Sequence, residues 1–422
     1  MDIKRKQRTG SDLLIVICWF VYVCSIVGKM NYAASITQVE LFFNVSHSDA
    51  GMVSTFYFFA YGAGQIINGF LSKKYNLKYI VFGSLILSGL CNLVVAITTS
   101  FAVIKWVWLF NGFCLSALWP SIIRLLSETL SKRQMVKASV IMGTSTAVGS
   151  FVAYGLTSLF VSLNVFRLSF YASAILLPLG AILWICCFAK VTKKAKSEGI
   201  AEDEEDNVVS PDVPAQNNNS LKNKMSRNVL IIVGFLMVFA VAGNFVKDGL
   251  TTWIPAILKE EYGLSDSLSI LLTLCLPVVS IFGNLFANKL YKRIGDFIVV
   301  CGLLFLGATV LVGCVIGSLG LSTAVIIIIA FSFTCFLSSS AHSTIVSVFP
   351  LQMKGKVNSG LMAGVLNGCC YIGSAISSYG LGAVADNWGW TTVFWLVFGV
   401  CAVCTAIAII YRLTRGKTAT NN

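Results

Sequence analysis

Apolar residues run along this chain in stretches of about 20 or more, long enough to cross a bilayer as helices, and short polar segments separate them. The stretches fall near 13–38, 51–71, 79–98, 102–126, 137–160, 168–189, 228–256, 267–288, 297–316, 322–348, 358–380 and 391–411. The pattern predicts twelve spans with both termini on one face of the membrane. One hydrophilic stretch, 190–227, interrupts it, with the acidic run Glu202-Asp203-Glu204-Glu205-Asp206, Pro211, Pro214 and Asn217-Asn218-Asn219. Such a composition buries too little apolar surface to order itself and reads as a flexible linker. Five consecutive acids also lack the spacing of a calcium loop.

The linker divides the chain into 1–189 and 228–422, and the two parts resemble each other. Val140 to Ser150, with Gly143 and Gly149, parallels Gly360 to Ser374, with Gly364 and Gly373. Gly69 to Lys74 parallels Gly283 to Lys289. The expected fold is therefore an all-α membrane protein of two pseudo-symmetric six-helix bundles joined by the linker 190–227. Repeats of this kind place substrate near the midplane at the interface between them.

Composition supports the membrane reading. Of 422 residues, 56% are hydrophobic and 12% charged, with a mean hydropathy of +0.81. A soluble domain could neither bury nor expose that much apolar surface. The net charge of +13 would suggest nucleic acid if it formed one patch. Most of the 31 Lys and Arg lie instead in the N-terminus, in the linker, in the tail after Tyr411 and in the loops near 72–78, 131–137, 289–293 and 354–356. By the positive-inside rule these segments, and so both termini, are cytoplasmic, and no nucleic-acid partner is expected. Lys4, Arg5, Lys6 and Arg8 run straight into Leu13 without a cleavage site, as in a signal anchor. The expected location is the plasma membrane, with the chain working as a monomer.

The 14 cysteines lie mostly within apolar runs, two pairs of them adjacent (Cys186-Cys187 and Cys369-Cys370). With only His47 and His342 to assist, no metal spacing is present, and the cysteines read as small packing residues. No cofactor is implied.

Charges inside the spans carry the candidate chemistry. Lys29, in GKMNYAASITQ, and Lys247, in VKDGLTTWIPA, stand at matched places in the two halves. A charge at membrane depth costs about 2.5–3.5 kcal/mol on insertion scales and marks a functional site. The competing explanation is snorkelling to the interface. Lys29 lies 16 residues beyond Leu13, roughly 24 Å along a helix, which is deep for such an escape. Of 18 acids only Asp248 lies well within a span. It adjoins Lys247, but successive helical residues point about 100° apart, so it need not neutralise that lysine. Asp248 and His342 are the candidate proton relays, and the scarcity of such groups favours anion exchange over proton symport.

Further residues carry a resemblance to a known family. They are Lys29-Met30-Asn31-Tyr32, Ala60-Tyr61-Gly62, Asn111-Gly112 with Trp119-Pro120 and Arg124, Trp253-Ile254-Pro255, and Gly389-Trp390. On these the chain resembles the major facilitator superfamily, and within it the organophosphate:phosphate antiporters. The similarity covers both halves but not the linker or tails. It implies that Lys29 and Lys247 face each other across a central cavity and bind an anion, with Tyr61, Tyr371, Gln65, Trp119, Thr146 and Asn244 lining it. In that family the central cations are arginines, many members carry a lysine at the place of Gln65, and some carry a histidine near that of Thr146. An ammonium is a compact point charge where a guanidinium grips phosphate bidentately.

The resemblance implies exchange of a small organic anion, a phosphate ester, for inorganic phosphate by alternating access, with no enzymatic chemistry. The alternatives are a proton-coupled carboxylate or sugar-acid symporter of the same superfamily and a non-transporting anion sensor on the same fold.

Overall fold

A computed structural model of the protein describes residues 9–71, 74, 76–209, 227–318, 324–353 and 359–419. The basic N-terminal residues Lys4 to Arg8, Lys73, the loop 354–356 and residues 210–226 of the expected linker lie outside the described residues. Every regular element among the described residues is helical.

The chain opens with α1 (Thr9–Ala34), α2 (Ile36–Phe43), α3 (His47–Leu71) and α4 (Leu77–Ile97), followed by α5 (Phe101–Ser116), α6 (Leu118–Thr129), α7 (Lys132–Ser162) and α8 (Leu168–Val209). After residue 226 come α9 (Arg227–Glu260), α10 (Asp266–Thr273), α11 (Cys275–Ser280) and α12 (Gly283–Ile294). Next are α13 (Phe297–Gly317), α14 (Ala324–Ser343), a π-helical turn (Thr344–Val348), α15 (Phe349–Gln352) and α16 (Ser359–Ala419).

Among the described residues, nine helices are long and apolar enough to cross a membrane, or ten if the bent pair Asp266–Ser280 and Leu285–Ile294 is one span. The twelve spans expected from the hydropathy pattern are not reached by this count. α3 is not among the nine, because Gly, Ser, Thr, Tyr and Gln dilute its apolar residues. α16 is counted once, although its 61 residues are interrupted at Gly389, whose φ of 75° and ψ of 170° are non-helical. At 1.5 Å per residue its length is roughly 90 Å, about three bilayer cores, and the break at Gly389 turns the chain.

The linker expectation needs correcting in its first part. Residues 190–209 continue α8 as helix rather than beginning a loose segment. Val191 and Ala195 are buried, and both carboxylate oxygens of Glu198 accept from the start of α1: from Gly10 N at 3.0 Å, and from Ser11 N and Ser11 Oγ at 2.8 and 3.0 Å. An acid at a helix N-terminus satisfies orphan amides and complements the dipole. That contact orders a segment whose composition alone suggested disorder.

Close helix packing joins the first and second halves of the chain. A Cβ on Gly51 of α3 would lie 2.1 Å from the Ser378 carbonyl oxygen of α16, so only glycine allows that approach. On the same seam Thr55 Oγ1 donates to the Ala375 carbonyl at 2.6 Å, and Trp253 Nε1 of α9 donates to the Ser378 carbonyl at 3.1 Å. Small residues let backbones meet where lipid supplies no hydrophobic drive.

Candidate functional site

Lys29 sits five residues before the end of α1, on a backbone fixed by a buried polar knot. Asn92 Nδ2 of α4 and Asn111 Nδ2 of α5 both donate to the carbonyl of Gly28, at 3.1 and 3.2 Å. Asn31 Nδ2 donates to Asn92 Oδ1 at 2.7 Å and to Ser173 Oγ of α8 at 3.0 Å, and Ser88 Oγ donates to Asn111 Oδ1 at 2.6 Å. Three helices, α4, α5 and α8, thus hold the turn of α1 that carries Lys29. In an apolar interior such amides are held by their partners, and in this knot only Asn31 Oδ1 finds none among the described residues.

The ammonium of Lys29 enters a cage of rings. Its Nζ lies 5.6 Å from the Tyr57 centroid, 5.4 Å from Phe58, 5.0 Å from Tyr61 and 5.9 Å from Tyr371. Tyr61 and Tyr371 meet edge to face at 4.8 Å, so the cage is built from α3 and α16 together. Ring faces stabilise a cation without neutralising it. Among the described residues no carboxylate stands within ion-pair distance of Lys29. Tyr57 and Phe58 escaped the sequence reading; aromatic residues at 57 and 61, one helical turn apart, were the available signal.

Lys247 differs. Its Nζ lies 3.3 Å from Asp248 Oδ1, so the pairing that the helical spacing left open is made. The backbone directions do diverge, but a four-carbon stem is long enough to reach round the helix. Asp248 also accepts from Ser374 Oγ of α16 at 2.5 Å and from Asn244 Nδ2 at 3.4 Å, while His342 Nδ1 stands 3.1 Å from Asn244 Oδ1. Lys247, Asp248, Asn244, Ser374 and His342 therefore form one network across α9, α14 and α16. Two residues beyond His342 begins the π-helical turn, a local rewinding often found beside functional sites.

A small cavity of about 30 Å³ opens between the halves of the chain. Lys29, Tyr57, Phe58 and Trp108 line it from the first half, and Asp248, Thr251 and Thr252 from the second. The charges of Lys29, Lys247 and Asp248 are near enough to act on one another. Two ammonium groups and one carboxylate leave the site a single net positive charge.

The remaining expected residues are less gathered. Gln65 Oε1 accepts from Asn367 Nδ2 of α16, one turn of α3 below Tyr61. Trp119, just past the break at Ala117, lies ring to ring with Tyr22 at 4.8 Å. Thr146 is an exposed position of α7. Arg124 pairs with Glu128 at 2.6 Å on α6, and Lys105 with Asp49 at 2.9 Å, at opposite ends of the α5–α6 pair.

Fold and site together define a helical membrane carrier with a cationic, aromatic-walled cavity between its two halves. The chain belongs to the Major Facilitator Superfamily, whose profile matches residues 18–378. It is 20% identical to a probable hexose phosphate transport protein of Chlamydia muridarum over 97% of this chain and 92% of that one. It is 22% identical to a hexuronate transporter of Bacillus subtilis, over 95% of this chain and 94% of the relative. Among solved structures, a bacterial homolog of the human lysosomal transporter Spinster, inward-facing and occupied, superposes with a TM-score of 0.72 at 11% identity, covering 94% of this chain and 96% of the other. The protein is a transporter and not an enzyme.

Proposed function

We propose that the chain is a secondary active transporter that exchanges a small organic anion, a phosphate ester, for inorganic phosphate by alternating access. The observation that carries this reading is a pair of ammonium groups, Lys29 lining the cavity from the first half of the chain and Lys247 behind its lining, paired with the cavity residue Asp248, from the second. An anion bound to both bridges the halves. It also competes with Asp248 for Lys247, so occupancy releases an internal pair while forming a new one. The tyrosine walls suit the face of a sugar ring, and the hexose phosphate relative fits that chemistry.

In this reading the fold is twelve spans in two six-helix bundles, 1–189 and 228–422, and the carrier works as a monomer. It lies in the plasma membrane with both termini cytoplasmic, so the end bearing the α2–α3 and α9–α10 turns faces outward. Gln65, Trp119, Thr146 and Asn244 complete the substrate pathway around the two lysines.

The test is counterflow in proteoliposomes. Labelled phosphate should enter only against internal phosphate or ester, and Lys29→Ala and Lys247→Ala should each reduce exchange at least a hundredfold. Full exchange in both variants would sink the reading.

One observation favours a second reading. With Asp248 at Lys247 the site carries one net positive charge, which matches a monoanion such as a sugar acid, and a hexuronate transporter is among the relatives. Uptake of a sugar acid driven by a pH gradient, without internal substrate and lost in Asp248→Asn, would replace exchange by proton coupling.

A further inference from the structure

At the end of the molecule that carries the α2–α3 and α9–α10 turns, a second charged cluster joins the two halves of the chain, made of residues that do not line the cavity. His47, the first residue of α3, stands between two acids. Its Nδ1 lies 3.0 Å from Glu40 Oε1 of α2, and its Nε2 lies 3.3 Å from Glu260 Oε2 of α9. With a carboxyl group facing each ring nitrogen, both nitrogens can donate, and the two acids favour the imidazolium form. Glu40 and His47 belong to the first half of the chain and Glu260 to the second.

The surroundings reinforce the bridge. The amides of His47 and Ser48 donate to the two carboxylate oxygens of Asp386, at 3.0 and 2.8 Å, so an acid of α16 caps α3 across the seam. Trp390 Nε1 donates to Glu260 Oε2 at 2.8 Å, and the Trp253 and Trp390 rings stand 5.6 and 5.2 Å from the imidazole. The other charges nearby are already engaged: Asp49 with Lys105, and Lys259 with Asp266 at 2.7 Å. Among the described residues no cation other than His47 is ion-paired with Glu40, Glu260 or Asp386, although Lys259 also acts on Glu260.

We propose that His47 is a proton-operated bolt for this end of the carrier: protonated, it ties the halves together through Glu40 and Glu260, and opening of this end releases its proton. Separation of the halves must break the His47–Glu260 bridge and the Asp386 cap together, because both cross the same seam.

The direction with pH follows from the site. Burial opposes the charge on His47, but its hydrogen bonds to Glu260 and Glu40 outweigh that and raise the group from 6.5 to about 10. The raised value belongs to the closed end; once open, the imidazole returns toward its ordinary value. The bolt is therefore at full strength below 6.5, weakens as pH rises, and is lost above about 10. Burial, the largest influence on Glu40, pushes its carboxyl up, and His47 opposes that rise. Because the proton leaves and returns at one end, the bolt sets the ratio of conformations and moves no proton across the membrane.

The proposal rests on the alternating-access reading, but its test needs no substrate, so a failed counterflow and a failed bolt are separate results. Spin labels at Val165→Cys and Trp388→Cys, both exposed at this end and one on each half of the chain, report the separation in nanodiscs frozen at pH 6 to 10. The exposed Cys186, Cys275 and Cys314 are changed to serine for the measurement. The ratio of separated to closed populations should rise about tenfold per pH unit between 7 and 9. His47→Gln should flatten that dependence and leave the separated population raised at neutral pH. Glu260→Gln, a second variant in case the first does not fold, should flatten it as well. A pH-independent ratio in the parent chain, or the same slope in both variants, would overturn the proposal. So would zinc closing the parent where pH does not, which would make the cluster a metal site.

Discussion

At the scale of single residues, two lysines placed alike in the sequence are handled in opposite ways. Lys29 keeps its charge unpaired behind tyrosine and phenylalanine faces, whereas Lys247 is matched to Asp248. What fixes Lys29 is not its own contacts but the knot at the Gly28 carbonyl. Asn92→Ala would leave Asn31 Nδ2 with Ser173 alone and remove one of the two donors on Gly28. Losing partners of buried polar groups costs about 1–3 kcal/mol. The expected outcome is a lowered apparent melting temperature together with weaker phosphate binding, since the loosened turn carries the ammonium. A variant that melts and binds like the parent would show the knot to be dispensable. Tyr61 and Tyr371, two of the three cage tyrosines, and Asn111 were legible through the family resemblance, and the lysines because charged and amide side chains are costly in apolar spans. Asn92 carried the same signal inside the 79–98 stretch but has no meaning until Asn31 and Gly28 stand beside it. Asp248's reach to Lys247 depends on a flexible stem, which helical periodicity does not describe.

At the scale of elements, hydropathy located where helices lie but not where they bend or stop. The breaks at Ser35 and Ala117, and the π-helical turn at Thr344, sit inside runs that read as continuous apolar spans. Their apolar pattern is unbroken because the backbone groups at the break are still bonded locally, as where Ser35 N donates to the carbonyls of Asn31 and Tyr32 at 3.0 Å. The reverse error occurs in α8, where a charged run continues the helix because Glu198 finds the N-terminus of α1. Replacing Glu198 by alanine removes acceptors for two amides and a hydroxyl, about 1 kcal/mol by the usual worth of an N-terminal cap. Limited trypsin digestion should then cut faster at Lys190, Lys193, Lys194 and Lys196 than in the parent chain. Equal rates of cleavage would mean that the extension is held by Val191 and Ala195 alone.

Over the whole molecule, two ammonium groups and one carboxylate lie at or just behind the cavity wall, and that balance bears on both affinity and coupling. If the two lysines stood alone, drawing the halves together without an anion would be opposed by their repulsion; Asp248 moderates that opposition and makes an empty return easier. It also sets a limit on affinity for a dianion, because the carboxylate must stay near the bound phosphate or give up Lys247. Asp248→Asn preserves shape and the acceptor for Ser374 while removing the negative charge. At a separation of about 5 Å and an effective dielectric constant near 20, one unit charge acting on another is worth about 3 kcal/mol before relaxation. Retaining half of that gives about a tenfold lower half-saturation concentration for phosphate in counterflow. The same change should slow zero-trans efflux relative to exchange, since the unloaded halves now carry two like charges. Tighter phosphate binding with a raised ratio of exchange to efflux supports the anion bridge between the halves. Unchanged phosphate affinity, with loss of uptake driven by a pH gradient, would assign Asp248 to proton transfer and the cavity to a monoanion.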